Sequence, residues 1–108
     1  MVEVLTRHAS VLTADQTSAV IALCSQVFQI DYAWYMDLCP DRMHVLAYVD
    51  GQLVAHALWL DRPLRVGRGP WLRSAYVEGV ATHAAHRSRG YGAAVVRRVQ
   101  ADYPRFLA

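Results

Sequence analysis

The run Arg87-Ser88-Arg89-Gly90-Tyr91-Gly92 has the residue types of a pyrophosphate cradle. A helix start leaves backbone N–H groups unpaired and carries the positive end of the helix dipole, and both favour a phosphate. Gly90 and Gly92 remove the side chains that would block close approach, and Arg87 and Arg89 supply guanidinium groups for charge-assisted hydrogen bonds. The competing reading is an ordinary strand-to-helix turn with solvated arginines. Two other phosphate motifs do not fit: there is no Gly-Lys-Ser/Thr of a Walker loop, and the dinucleotide Gly-x-Gly-x-x-Gly spacing is missing.

Upstream, Glu78 interrupts the apolar stretch Tyr76-Val77-Glu78-Gly79-Val80. A carboxylate there is costly to bury unpaired, so it faces either a cleft or a surface arginine. Gly79 beside it suits a bulge that frees backbone groups. Asp31, Asp37 and Asp41 together with Glu78 form either one acidic mouth, suited to a polycation, or a solvated face. Tyr32, Trp34 and Tyr35 are either an apolar wall of that mouth or the packed side of a short helix. His83 and His86 flank the arginine-glycine loop and read mainly as surface residues. Cys24 and Cys39 are too few for a disulfide framework and lack metal-ligand spacing; Cys24 belongs to a core stripe. No metal site is expected.

The elements that must position these residues follow from hydrophobic periodicity. Residues 2–7 read as a first strand. Thr13-Ala14-Asp15-Gln16 has the form of a capping box, and behind it Val20, Leu23, Cys24, Val27 and Phe28 recur at helical spacing. Residues 31–38 predict a second, short helix stopped by Pro40. Residues 44–49 and 52–60 flank Asp50-Gly51, the pair that a two-residue type I′ hairpin requires. After a turn at 66–70, residues 71–82 predict a long strand, completing an antiparallel meander. A last helix over 90–102 buries Val95, Val96, Val99 and Tyr103 and turns Arg97 and Arg98 to water; Pro104 ends it, and Phe106-Leu107-Ala108 reads as the opening of another strand.

Composition narrows the class. With 108 residues, 55% of them apolar and 19% charged, the chain is one globular domain with a core and is not disordered. No apolar run approaches the ~20 residues of a membrane span and no signal-peptide pattern opens the chain, so a cytoplasmic protein without membrane partners is expected. All eleven basic residues are arginine. Any anion site must therefore use guanidinium groups or backbone N–H groups. The arginines are scattered and the formal charge is only +2, which argues against a nucleic-acid partner.

Arg-x-x-Gly-x-Gly at 87–92, preceded by the strand Tyr76-Val77-Glu78-Gly79-Val80-Ala81-Thr82, resembles the acetyl-CoA motif of the GCN5-related N-acetyltransferases (GNAT). The element order strand, helix, helix, three antiparallel strands, helix is similar to that α/β (α+β) fold over nearly the whole chain. The resemblance implies acetyl-CoA as co-substrate. Val80, Ala81 and Thr82 would run beside the pantetheine arm, and the backbone of Arg87, Ser88, Arg89, Gly90, Tyr91 and Gly92 would hold the pyrophosphate. The segment 72–81 with Ala55-His56-Ala57, Thr13-Ala14-Asp15, and Phe28 followed by Asp31 is similar to aminoglycoside 2′-N-acetyltransferases. That likeness implies Glu78 as the base that takes the proton of the attacking amine, directly or through water, and Asp31, Glu78 and Gly79 as acceptor contacts. The family fold continues with a fifth strand, a further helix and two more strands, and its tyrosine general acid lies in that part. Residues 1–108 are therefore expected to be the N-terminal portion of the fold, either a fragment of a longer enzyme or completed by another chain, with a homodimer as one expected assembly. The alternative function is a non-catalytic CoA-binding module.

Overall fold

A computed structural model describes residues 1–106. The order is β1 (Val2–His8), α1 (Ala14–Phe28), α2 (Tyr32–Asp37), β2 (Met43–Val49), β3 (Gln52–Leu64), β4 (Leu72–Thr82) and α3 (Tyr91–Asp102), with 3-10 turns at Ala9–Val11, Ala84–His86 and Tyr103–Phe106. The four strands form one antiparallel sheet in the order β1-β2-β3-β4. The expected strand opening at Phe106 is not seen: that residue closes the last 3-10 turn, and Leu107 and Ala108 lie outside the described residues. Pro104 sits within this turn, which continues directly from α3.

Local chemistry sets the boundaries. Thr13 and Gln16 form the reciprocal capping box at the start of α1, with bonds of 3.0 and 2.9 Å. Asp31 caps α2 by accepting from the Ala33 N–H at 3.1 Å. Asp50 and Gly51 both take positive φ, at 50° and 78°, which is the type I′ geometry joining β2 to β3.

The sheet buries both faces. On one side Leu46, Leu58 and Ala81 pack beneath Val20, Leu23, Cys24, Tyr32 and Met36 of α1 and α2. On the other, Val45, Ala47, Val54, Ala55 and Ala57 meet Val95 and Val99 of α3. Two expectations of burial are corrected. Phe28 stays 39% exposed because α1 ends there and its ring turns to a pocket. Arg98 does not simply face water: it donates to Asp102 at 2.7 Å and to the Val4 carbonyl at 3.1 Å, tying α3 to β1.

Register irregularities shape the centre of the sheet. One lies where Ala47 pairs with Ala55 but Tyr48 pairs with Leu53, leaving Val54 as the extra residue. A second lies in β4, where Leu58 pairs with Glu78 but His56 pairs with Ala81, so Gly79 and Val80 together oppose Ala57.

Candidate active site

The β4 bulge is the centre of the candidate site. Gly79 has φ +63°, a left-handed conformation open to glycine, and a Cβ there would overlap the Tyr32 hydroxyl. Tyr32 is 2% exposed, and its hydroxyl has no hydrogen-bond partner among the described residues. Burial, with Cys24 and Glu78 nearby, pushes its phenol above the ordinary range, so the group is neutral. A pocket of about 490 Å³ opens over the bulge, lined by Phe28, Ile30, Tyr32, Tyr35, Val77, Glu78, Gly79 and Val80. Glu78 is half-buried on its wall and Val80 is 40% exposed, whereas Ala81 is buried. An aromatic wall is thus realised in part. Tyr32 and Tyr35 line the pocket, while Trp34 is 64% exposed and lies outside the lining.

The acidic mouth forms only in part. Asp31 lies between Ile30 and Tyr32, which line the pocket, and is exposed as the α2 cap. Asp41 borders a different depression with His8, Met43, Trp59, Asp61 and Tyr103.

Along β4 toward its C-terminal end, Thr82 leads to the arginine-glycine loop. A Cβ on Gly92 would come within 3.1 Å of Thr82 Oγ1, so glycine lets the start of α3 close on the strand. Ser88 and Gly90 both take left-handed φ, at 64° and 80°. Gly90 is the N-cap and offers no side-chain cap. The N–H groups of the first turn of α3 are therefore not capped by a neighbouring side chain, unlike those of α1 and α2. Arg87, Ser88 and Arg89 are exposed; Arg89 approaches His86 Nδ1 at 3.2 Å, and the Tyr91 ring packs toward the α3 core. His83 caps the 3-10 turn by accepting from the Ala85 N–H at 3.1 Å, a structural task. Uncapped N–H groups, glycines at the approach and the two exposed guanidinium groups of Arg87 and Arg89 fit a pyrophosphate. Among the described residues no cluster of three His, Cys, Asp or Glu side chains is placed to hold a metal ion.

Sequence reasoning missed what lies beneath the bulge. His44 and His56 are fully buried. His44 Nδ1 is 2.8 Å from His56 Nε2, His56 Nδ1 is 2.8 Å from the Gly79 carbonyl, and Arg42 Nε reaches His44 Nε2 at 2.7 Å. Burial lowers the pKa of His44 to about 2, reinforced by His56 and Arg42. It lowers that of His56 to about 4, against the opposing effect of the bond to Gly79. Cys24 completes the cluster with its thiol 3.4 Å from His56 Nδ1; burial pushes that thiol up to about 12, so it is no nucleophile.

The match to known proteins follows this geometry. Residues 8–105 match the model of the acetyltransferase (GNAT) domain, and the chain belongs to that family. An acyl-CoA N-acyltransferase from Pseudomonas aeruginosa is 25% identical, superposes with a TM-score of 0.77, and is matched over 99% of this chain and 73% of its own. A ribosomal-protein-alanine N-acetyltransferase from Brucella melitensis is 20% identical with a TM-score of 0.70, over 97% of this chain and 73% of its own. An aminoglycoside 6′-N-acetyltransferase from Acinetobacter haemolyticus is 17% identical with a TM-score of 0.67, over 94% and 72%. No curated protein matches the chain significantly. Family membership implies an acyl-CoA co-substrate. No helix among the described residues is long and apolar enough to cross a membrane.

Proposed function

We propose that the chain is an acetyl-CoA-dependent N-acetyltransferase whose acceptor is an aminoglycoside 2′-amino group or a related small-molecule amine. The observation that carries this reading is the half-buried Glu78 on the wall of an aromatic pocket, on the same strand that leads to the uncapped start of α3. When bound, acetyl-CoA supplies an activated acyl thioester. The backbone of Arg87, Ser88, Arg89, Gly90, Tyr91 and Gly92 holds its pyrophosphate, with the Arg87 and Arg89 side chains adding charge. Val80, Ala81 and Thr82 run beside the pantetheine arm and bring the thioester to the bulge. Glu78 accepts the proton of the amine, directly or through one water, while Gly79 keeps the approach open. Asp31 at the pocket rim and Glu78 together offer negative charge to a polycationic acceptor.

The test is release of free thiol from acetyl-CoA in the presence of a 2′-amino aminoglycoside. Turnover that falls about 10²-fold or more in Glu78→Gln, with acetyl-CoA affinity retained, is the expected result. Undamaged turnover in Glu78→Gln overturns the base assignment. Arg87→Ala and Gly90→Val are expected to weaken acetyl-CoA binding; if neither does, the cradle assignment fails.

A further inference from the structure

The polar groups beneath the bulge form a chain whose direction is fixed at both ends. Arg42 can only donate, through Nε to His44 and through Nη1 to the carbonyls of Met36 and Cys39 at 3.0 and 3.1 Å. The Gly79 carbonyl at the other end can only accept. Of the possible protonation states, one satisfies all three contacts: both imidazoles neutral, each with its proton on Nδ1. His44 then donates to His56, and His56 donates to Gly79.

This arrangement holds one peptide plane. The Gly79–Val80 peptide is trans, so its N–H and C=O point in opposite directions. With the Gly79 carbonyl drawn down to His56, the Val80 N–H is turned away from His56. The bulge takes Gly79 and Val80 out of one-to-one register with β3, and both residues border the pocket. Volume alone does not call for histidine here, since Leu46 and Leu58 fill neighbouring positions of the same face. Two buried imidazoles are costly to desolvate and gain their place by making directional bonds.

We propose that His56, set by His44 and Arg42, is a positioning residue that fixes the Gly79–Val80 peptide so that the Val80 N–H is presented to the acyl oxygen of the thioester. The proposal rests on the acyl-transfer reading above. A donor held in place needs no reorientation as charge grows on that oxygen, and loss of one such donor lowers turnover by about 10²–10³. The groups facing His56 are Cys24 from α1, Tyr32 from α2, Arg42 from the turn just before β2, His44 from β2 and Gly79 from β4.

Two measurements test it. Long-range proton–nitrogen spectra of the unmodified protein are expected to show both buried histidines as neutral Nδ1–H tautomers at pH 7; an Nε2–H tautomer at His56 overturns the proposal. Carbonyl-labelled acetyl-CoA is expected to show a downfield carbonyl shift on binding that is lost in His56→Leu and restored in His56→Asn, whose amide nitrogen stands near the place of Nδ1. With a 2′-amino aminoglycoside, His56→Leu should lose about 10²–10³ in kcat with KM for acetyl-CoA nearly unchanged. If His56→Leu does not fold, His56→Asn and the tautomer spectrum decide. A folded His56→Leu with native carbonyl shift and kcat overturns the positioning role alone. Absence of acetyl-CoA binding by the unmodified protein overturns the acyl-transfer reading and this proposal with it.

Discussion

At the scale of single residues, two glycines that look alike in sequence differ in what they permit. Gly79 and Gly90 both have left-handed φ, which costs a non-glycine residue about 1–2 kcal/mol. Gly90 has open space around its absent Cβ, whereas Gly79 is closed by Tyr32 and by His56 at 3.3 Å. Gly90→Ala is therefore expected to lose about 1 kcal/mol in urea denaturation, and Gly79→Ala clearly more, since overpacking adds a further ~1–3 kcal/mol. Equal losses in the two variants would show that Tyr32 and His56 do not constrain the bulge. The glycine pair of the loop and Glu78 were legible from residue type alone, because a carboxylate in an apolar strand and glycines at a helix start are both locally anomalous. Arg42, His44 and His56 carried no such mark.

At the scale of elements, the helices are anchored by different chemistry. α1 relies on its own capping box, so Thr13→Ala should destabilise the protein by about 1 kcal/mol while leaving acetyl-CoA affinity unchanged. α3 lacks a side-chain cap at its start and is tied at its other end. Asp102 there accepts from Thr6 at 2.5 Å and from Arg98 at 2.7 Å. Burial tends to raise the Asp102 pKa, but the bonds from Thr6 and Arg98 outweigh it and hold the carboxyl below its ordinary value. Asp102→Ala is expected to cost about 1–3 kcal/mol, because it strips the partner from a half-buried guanidinium and from Thr6. Thermal unfolding that matches the unmodified protein would show that the tie between α3 and β1 carries no stability. Hydrophobic spacing placed α3 and the Val95, Val99 and Tyr103 part of its stripe correctly, but Val96 is only partly buried and Arg98 was assigned to solvent, since a helical wheel shows which face is turned inward and not which strand end lies beside it.

At the scale of the whole molecule, the buried histidine pair couples folding to pH. Both folded-state values lie below the ordinary 6.5, at about 2 for His44 and about 4 for His56. The unfolded chain therefore takes up protons that the folded chain cannot, and stability must fall as pH drops. This contribution is fully present above pH ~6.5 and declines by about 1.4 kcal/mol per pH unit per histidine down to the folded-state values. Urea midpoints at pH 7, 6 and 5 should fall progressively, with a smaller slope in a folded His44→Gln variant. A midpoint that stays level from pH 7 to 5 would be incompatible with two buried neutral imidazoles.

The sequence by itself determined the element order, the hairpin at Asp50-Gly51, the capping box and the loop that marks the acetyltransferase family, because each depends on residues close together in the chain. It also pointed to a bulge at Gly79. What only the tertiary structure decided is how β2 and β3 share a face. An unbroken two-residue hairpin pairing Val49 with Gln52 would set His44 opposite Ala57, leaving His44 and His56 on opposite faces. The extra residue at Val54 shifts the register by one, pairs His44 with Leu58, and brings both imidazoles to the side of α1 and α2. A side-chain period of two turns one inserted residue into a change of face. Periodicity within either strand therefore gave no sign of the polar chain that ends at the Gly79 carbonyl.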